Sequence, residues 1–186
     1  MGHPLSVALS YIYLWKKVEE IVLTRWKHKI EFMQRFVDDK FIIANMTRNE
    51  ALDFKADLEA QTTRIRYTME ICETSACHLD LKVFKICEPT CTRFEYRVYR
   101  KEGNPMLYLM PASYHAPHVF HGIIKGELMR YLLRSSREEW FVEDAVILHQ
   151  AFMKRGYAPA TFWTVAKTIQ WINSEQYRSR ALDMAN

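Results

Sequence analysis

Two adjacent aspartates, Asp38 and Asp39, stand in the stretch "EFMQRFVDDKFIIANM", between two runs of large apolar residues. Aspartate is depleted in strands and is rarely buried without a partner or a metal. A pair of carboxylates at the end of an apolar hairpin suits one chemistry above others. Hard divalent cations take oxygen ligands, and two-metal phosphoryl transfer uses carboxylates that hold both ions near phosphate oxygens. The plain alternative is a solvated turn, because Asp tolerates unusual dihedrals and hydrogen-bonds its own backbone.

The elements that position the pair follow from periodicity. From Ser6 to about Trp26, the residues Val7, Tyr11, Leu14, Val18, Ile21 and Val22 recur near 3.6, predicting a helix. Lys16, Lys17, Glu19 and Glu20 line its other side. "KIEFMQRFV" alternates like a strand and "KFIIANM" reads as its return partner, which puts Asp38 and Asp39 in the tight turn between them. Lys40 then reads as a solvated charge after the turn. Thr47 or Asn49 is suited to cap a following helix, with Glu50 in its first turn and Leu52, Ala56 and Leu58 facing inward.

Three strand-like segments follow, "RIRYTMEI", "CHLDLKVFKI" and "TRFEYRVYR", and a shorter one, "MLYLM". The third alternates Phe94, Tyr96 and Val98 with Arg93, Glu95 and Arg97, an apolar face against a charged one. Beyond "PASYHAPHVF" the pattern is helical only: Val119 to Leu133, Glu138 to Arg155, and Ala160 to Asn173. Gly156 suits the position just past a helix end, and Pro159 the first turn of the next. The fold class expected is α+β, with residues 1–112 separated from a helical part, residues 113–186.

Bulk properties bound the rest. At 186 residues with formal net charge +4 and 49% hydrophobic residues, the chain suits a packed domain, with a charge that supports phosphate contact without requiring it. The most apolar window, "SVALSYIYLW", runs into Lys16 and Lys17 after about half the length of a bilayer span, so no membrane span is expected and the reading is intracellular. "MGHPLS" fits the loose N-myristoylation pattern. Cys72, Cys77, Cys87 and Cys91 have near-zinc spacings, but a single strand between Cys77 and Cys87 separates its ends by roughly 33 Å, so one shared zinc site is not expected and each close pair reads as free thiols or a local disulfide. His115, His118 and His121 straddle a proline and a helix start and read as capping and surface residues. Trp163 and Trp171, eight apart, fall on one face of a single helix.

"RFVDDKFIIA" resembles the aromatic-x-Asp-Asp hairpin of reverse transcriptases, their motif C. The resemblance continues in order along the chain. "GHPLSVALSYIYL" looks like motif B, "NEALDFKADLEAQ" like motif D, and "CHLDLKVFK" like the strand after it. "YRVYRKEGNPMLYLMPASYHAPHVFHGIIKGELMRYLLRSS" and "FMKRGYAP" resemble the end of the palm and the thumb, most like the Penelope-like group. The resemblance implies a partial palm over residues 1–112 and a helical thumb over 113–186. It implies that Asp38 and Asp39 are catalytic and hold Mg²⁺ or Mn²⁺. Gly2, Pro4, Leu5 and Ser6 would line the template and nucleotide pocket, with Phe36 and Val37 at the primer end. Lys55 is a candidate for the motif D lysine. Lys125, Arg130, Arg134 and Arg137 would grip the backbone of an RNA template and DNA primer.

One departure shapes the expectation of activity. The motif A aspartate of that family precedes motif B, and here the only acids before Asp38 are Glu19, Glu20 and Glu31. Glu19 and Glu20 lie on a helix predicted to lead away from the hairpin tip. The expectation is a polymerase-like fragment that is inactive alone, since loss of a metal ligand removes transition-state charge stabilisation. The strand edge left open by a missing motif A strand calls for a partner chain. The second reading is a non-catalytic remnant, kept as a structural subunit of a larger complex.

Overall fold

The computed structural model describes residues 5–62 and 64–183, so Gly2 and Pro4 lie outside the described residues. The structure is mixed α+β, with two small antiparallel sheets of two and three strands. It divides into two compact units, residues 1–72 and 73–186, so the three-stranded sheet groups with the helices after it, and the division does not fall at 112–113. Among the described residues no helix is long and apolar enough to cross a membrane.

In the first unit α1 (Ser6–Leu14), a π-helical turn (Trp15–Glu19) and α2 (Glu20–Trp26) run on from one another. They are followed by the hairpin β1 (Ile30–Phe36) and β2 (Asp39–Ala44), then α3 (Arg48–Ala60). Val18, Val22, Phe54 and Leu58 form the core, with Trp26 packed edge-on to Phe54 at 5.8 Å. The Asp57 carboxylate accepts from the Trp26 indole and from Arg25, both at 2.8 Å, tying α2 to α3. Those bonds hold Asp57 below the usual carboxylate range, the indole bond contributing most.

Thr47 caps α3 in a full capping box with Glu50, as its spacing predicts. Leu58 faces inward as expected, but Leu52 and Ala56 are exposed, because the buried stripe runs through Phe54 and Leu58, four apart on one face. Residues 64–71, predicted as a strand, form no regular ladder.

The second unit holds β3 (Ser75–His78), β4 (Leu81–Cys87) and β5 (Thr92–Val98), in that order across the sheet. "CHLDLKVFKI" is therefore not one strand but a hairpin, folding back at Leu79, whose φ is +53°. The separation assumed for the cysteines does not hold, and Cys77, Cys87 and Cys91 are exposed. "MLYLM" is irregular, since Tyr108 turns in to stack on Phe152 at 4.3 Å instead of joining the sheet.

Helices α4 (Pro117–Leu133), α5 (Glu138–Lys154), α6 (Pro159–Ala166) and α7 (Ser174–Asp183) follow, with a short 3₁₀ turn at Trp171–Asn173. Gly156, at φ +88°, ends α5: its amide bonds Met153 and the Tyr157 amide bonds Phe152, the reciprocal pair of a Schellman motif. The predicted third helix breaks after Ala166, so Trp163 and Trp171 belong to different elements. Trp171 stacks on Phe141, whereas Trp163 lies half-exposed beside His149.

Candidate functional site

Strand alternation sorts the hairpin residues onto two faces. Met33 and Arg35 turn inward, while Phe32, Gln34 and Phe36 face out. The ladder pairs Arg35 with Lys40 and Phe36 with Asp39, leaving a two-residue turn of Val37 and Asp38. Asp38 thus occupies the turn, but Asp39 is the first residue of β2 and stands across from Phe36, where the sequence placed both acids in the turn. Both are exposed, and among the described residues no salt bridge or side-chain hydrogen bond engages either carboxylate.

Val37 sits at φ +53°, a position that tight hairpins ordinarily give to glycine. For a β-branched residue that geometry is strained, and strain of this kind persists only where surroundings enforce it. Here Tyr11 of α1 enforces it: its hydroxyl accepts the Val37 amide at 2.6 Å. The Tyr11 ring also carries the Arg35 guanidinium, 4.1 Å from the ring centre.

Beneath the turn lies Glu19, the last residue of the π-helical turn and 1% exposed. Its Oε1 faces Lys40 Nζ at 3.2 Å and Arg35 Nε at 3.5 Å. Two sequence expectations are overturned at this point. Glu19 does not lead away from the hairpin, because the extra residue of the π turn rotates it inward among the core residues. Lys40 is not solvated: its side chain is 9% exposed and its amine lies 4.4 Å from the Tyr67 ring centre. Burial pushes the Lys40 amine below its ordinary range, opposed by Glu19, and burial raises the Tyr67 hydroxyl, with Glu19 adding to the rise. A signal for the cluster was present in the alternation, since Arg35 has the inward parity of Met33 and an inward arginine needs a counter-charge.

The other proposed residues are scattered. Leu5 and Ser6 lie exposed at the start of α1, and Phe36 and Val37 are exposed beside the turn. Lys55 of α3 pairs with Glu59 at 3.7 Å. Of the basic set in the second unit, Arg130 pairs with Glu127 at 2.8 Å, Arg134 with Asp80 at 2.7 Å and Arg137 with Glu95 at 2.6 Å. Lys125 alone of the four is exposed without an ion pair among the described residues. Sequence reading also missed Asp144, fully buried on α5 between Arg97 and Arg100 at 2.9 and 2.6 Å.

The donor set at the turn fits a hard cation of the Mg²⁺ type, which binds through one or two carboxylates and completes its shell with water and phosphate oxygens. It does not form a closed protein cage, for no group of three or more metal-ligating side chains occurs among the described residues. A cleft of about 420 Å³, lined by His28, Lys29, Asn45, Met46, Thr47 and Glu50, lies at the opposite, open end of the hairpin. The chain matches no protein-family model, no curated protein and no solved structure.

Proposed function

We propose that the first unit is the metal-binding hairpin portion of an RNA-directed DNA polymerase of the reverse transcriptase kind, and that it is inactive on its own. The observation that carries this reading is the pair of exposed carboxylates at the hairpin tip, Asp38 in the turn and Asp39 beside it, which no salt bridge or side-chain hydrogen bond engages among the described residues, with the strained turn backbone pinned by Tyr11. A solvated turn needs neither the strain nor the pin. The ordered series of sequence blocks supports the same reading. Asp38 and Asp39 would hold Mg²⁺ or Mn²⁺, which when bound supplies charge neutralisation at phosphate oxygens.

The same geometry supports inactivity alone. Glu19, a buried acid under the hairpin, is consumed by Arg35 and Lys40. A further ligand therefore has to come from outside the described residues. A partner strand suits the hairpin, whose two-stranded sheet has both outer edges open among the described residues. The apolar side chains Phe32, Phe36, Leu9 and Ile12 are exposed nearby in the same unit.

Primer extension on an RNA template with a DNA primer, Mg²⁺ or Mn²⁺ and the purified protein tests the proposal. No incorporation is expected from this chain alone. Incorporation abolished by Asp38→Ala would refute the incompleteness. Failure of Mn²⁺ to bind in an Asp38-dependent way would refute the metal role and leave the structural-subunit reading.

A further inference from the structure

Three charged side chains meet under the turn, and their placement is specific. Arg35 and Lys40 are ladder partners, one step behind the Phe36–Asp39 pair. Both side chains are 9% exposed and both converge on one oxygen of Glu19, whose side chain is 2% exposed. Among the described residues Glu19 Oε1 and Arg35 Nη1 are buried with no hydrogen-bond partner, so the three groups meet as ion pairs and the cluster is not fully satisfied. Stability alone is a weak reason for such a cluster, since apolar side chains of similar volume do as well or better. Buried charges differ from apolar groups in one respect that matters here. Their fields reach neighbouring groups with less screening than surface charges allow.

We infer that Glu19, Arg35 and Lys40 form a buried charge seat that sets how tightly Asp38 and Asp39 hold a divalent cation. The inference rests on the proposed metal role of those two aspartates. Two cations against one anion leave a single excess positive charge behind two negative ones. Lys40 weakens the hold and Glu19 strengthens it. Glu19 is a positioning residue: it touches no ligand, and it acts through the two cations it compensates. The stacking of Arg35 on Tyr11 and of Lys40 on Tyr67 fixes where those charges sit.

The test is Mn²⁺ titration of the whole chain, followed by the electron paramagnetic resonance signal of the unbound ion, alongside thermal unfolding. Lys40→Met lowers the melting temperature, because Glu19 loses a partner, yet tightens Mn²⁺ by about threefold to tenfold. Glu19→Gln lowers the melting temperature and weakens Mn²⁺ by a similar factor. The double variant, which restores the net charge, returns to within about twofold of the wild type. Should Lys40→Met not fold, Lys40→Gln carries the same expectation with a side chain that retains hydrogen bonding.

A tightening that accompanies destabilisation is the signature a merely structural cluster does not give. Loss of melting temperature with Mn²⁺ affinity unchanged, or weakened in both single variants, overturns the inference. Wild-type protein whose Mn²⁺ binding is absent, or unaffected by Asp38→Asn, overturns the inference and the metal role together.

Discussion

The Val37 amide and the Tyr11 hydroxyl meet at 2.6 Å, joining the turn of the hairpin to a helix residue 26 positions earlier in the chain. The bond holds a β-branched residue at φ +53°, so apex and helix are one mechanical unit.

Tyr11→Phe keeps the ring under Arg35 and removes only the hydroxyl. The expected loss is about 1 kcal/mol of stability, with faster hydrogen exchange at the Val37 amide. Val37→Gly acts in the opposite sense and stabilises by about 1 kcal/mol, as relieved backbone strain exceeds the entropy lost by glycine. Chemical denaturation with amide exchange measures both, and exchange at Val37 unchanged in Tyr11→Phe would contradict the role given to the hydroxyl.

Glu50 supplies a pH dependence. Its carboxyl is held down to about 2 from an ordinary 4.5, first by the Lys29 ammonium and then by the Thr47 amide and hydroxyl. A depressed folded-state value gives stability that is present above pH 4.5 and is lost as pH falls towards 2. His28 lines the same cleft. Glu50→Gln flattens the acid limb of the melting temperature across that window, and an identical limb in wild type and variant would show that the capping box carries no such linkage.

Asp144 predicts a large effect. It is fully buried, and its Oδ1 faces Arg97 and Arg100. Asp144→Ala leaves Arg100 uncompensated and Arg97 with only the exposed Glu143, at 3.1 Å, and costs about 3 kcal/mol. A urea midpoint close to that of the wild type would mean that solvent reaches the pair and screens it.

The proposed nucleic-acid contact is expected to be weakly salt-dependent. Arg130, Arg134 and Arg137 are each engaged by a carboxylate, leaving Lys125 available. One phosphate contact gives a log–log salt slope of about −0.9 and four give about −3.6. Fluorescence anisotropy of a primer–template duplex across a KCl series separates the two.

The α+β class, the hairpin, the Thr47 cap and the Gly156–Pro159 helix junction were legible, because each rests on local chemistry: alternation, capping oxygens, a left-handed glycine and a fixed proline φ. What escaped is non-local. The alternation of "CHLDLKVFKI" carried the strand reading straight through Leu79 and Asp80, where Asp80 alone hints at a turn and no glycine or asparagine marks the positive φ that Leu79 adopts. Residues 64–71 have strand propensity but pair with no strand among the described residues, and propensity alone does not make a sheet. Glu19 was misplaced because a helix of constant 3.6 period puts it on the polar side, and no residue between Trp15 and Glu19 signals a change of pitch. In the hairpin, the two aspartates were visible as residue types, and of the charges beneath them only Arg35 was signalled, by its inward parity.

The wide turn at Trp15–Glu19 carries one residue more than an ordinary helical turn. Excising Lys16 or Lys17 lets the helix close to its normal pitch while the segment upstream keeps roughly its phase, so Tyr11 still reaches Val37. The same loss within Glu20–Trp26, where the pitch is already ordinary, swings that segment by about 100° and takes Tyr11 off the hairpin. A lost codon is therefore a milder lesion inside the pentapeptide than a turn later.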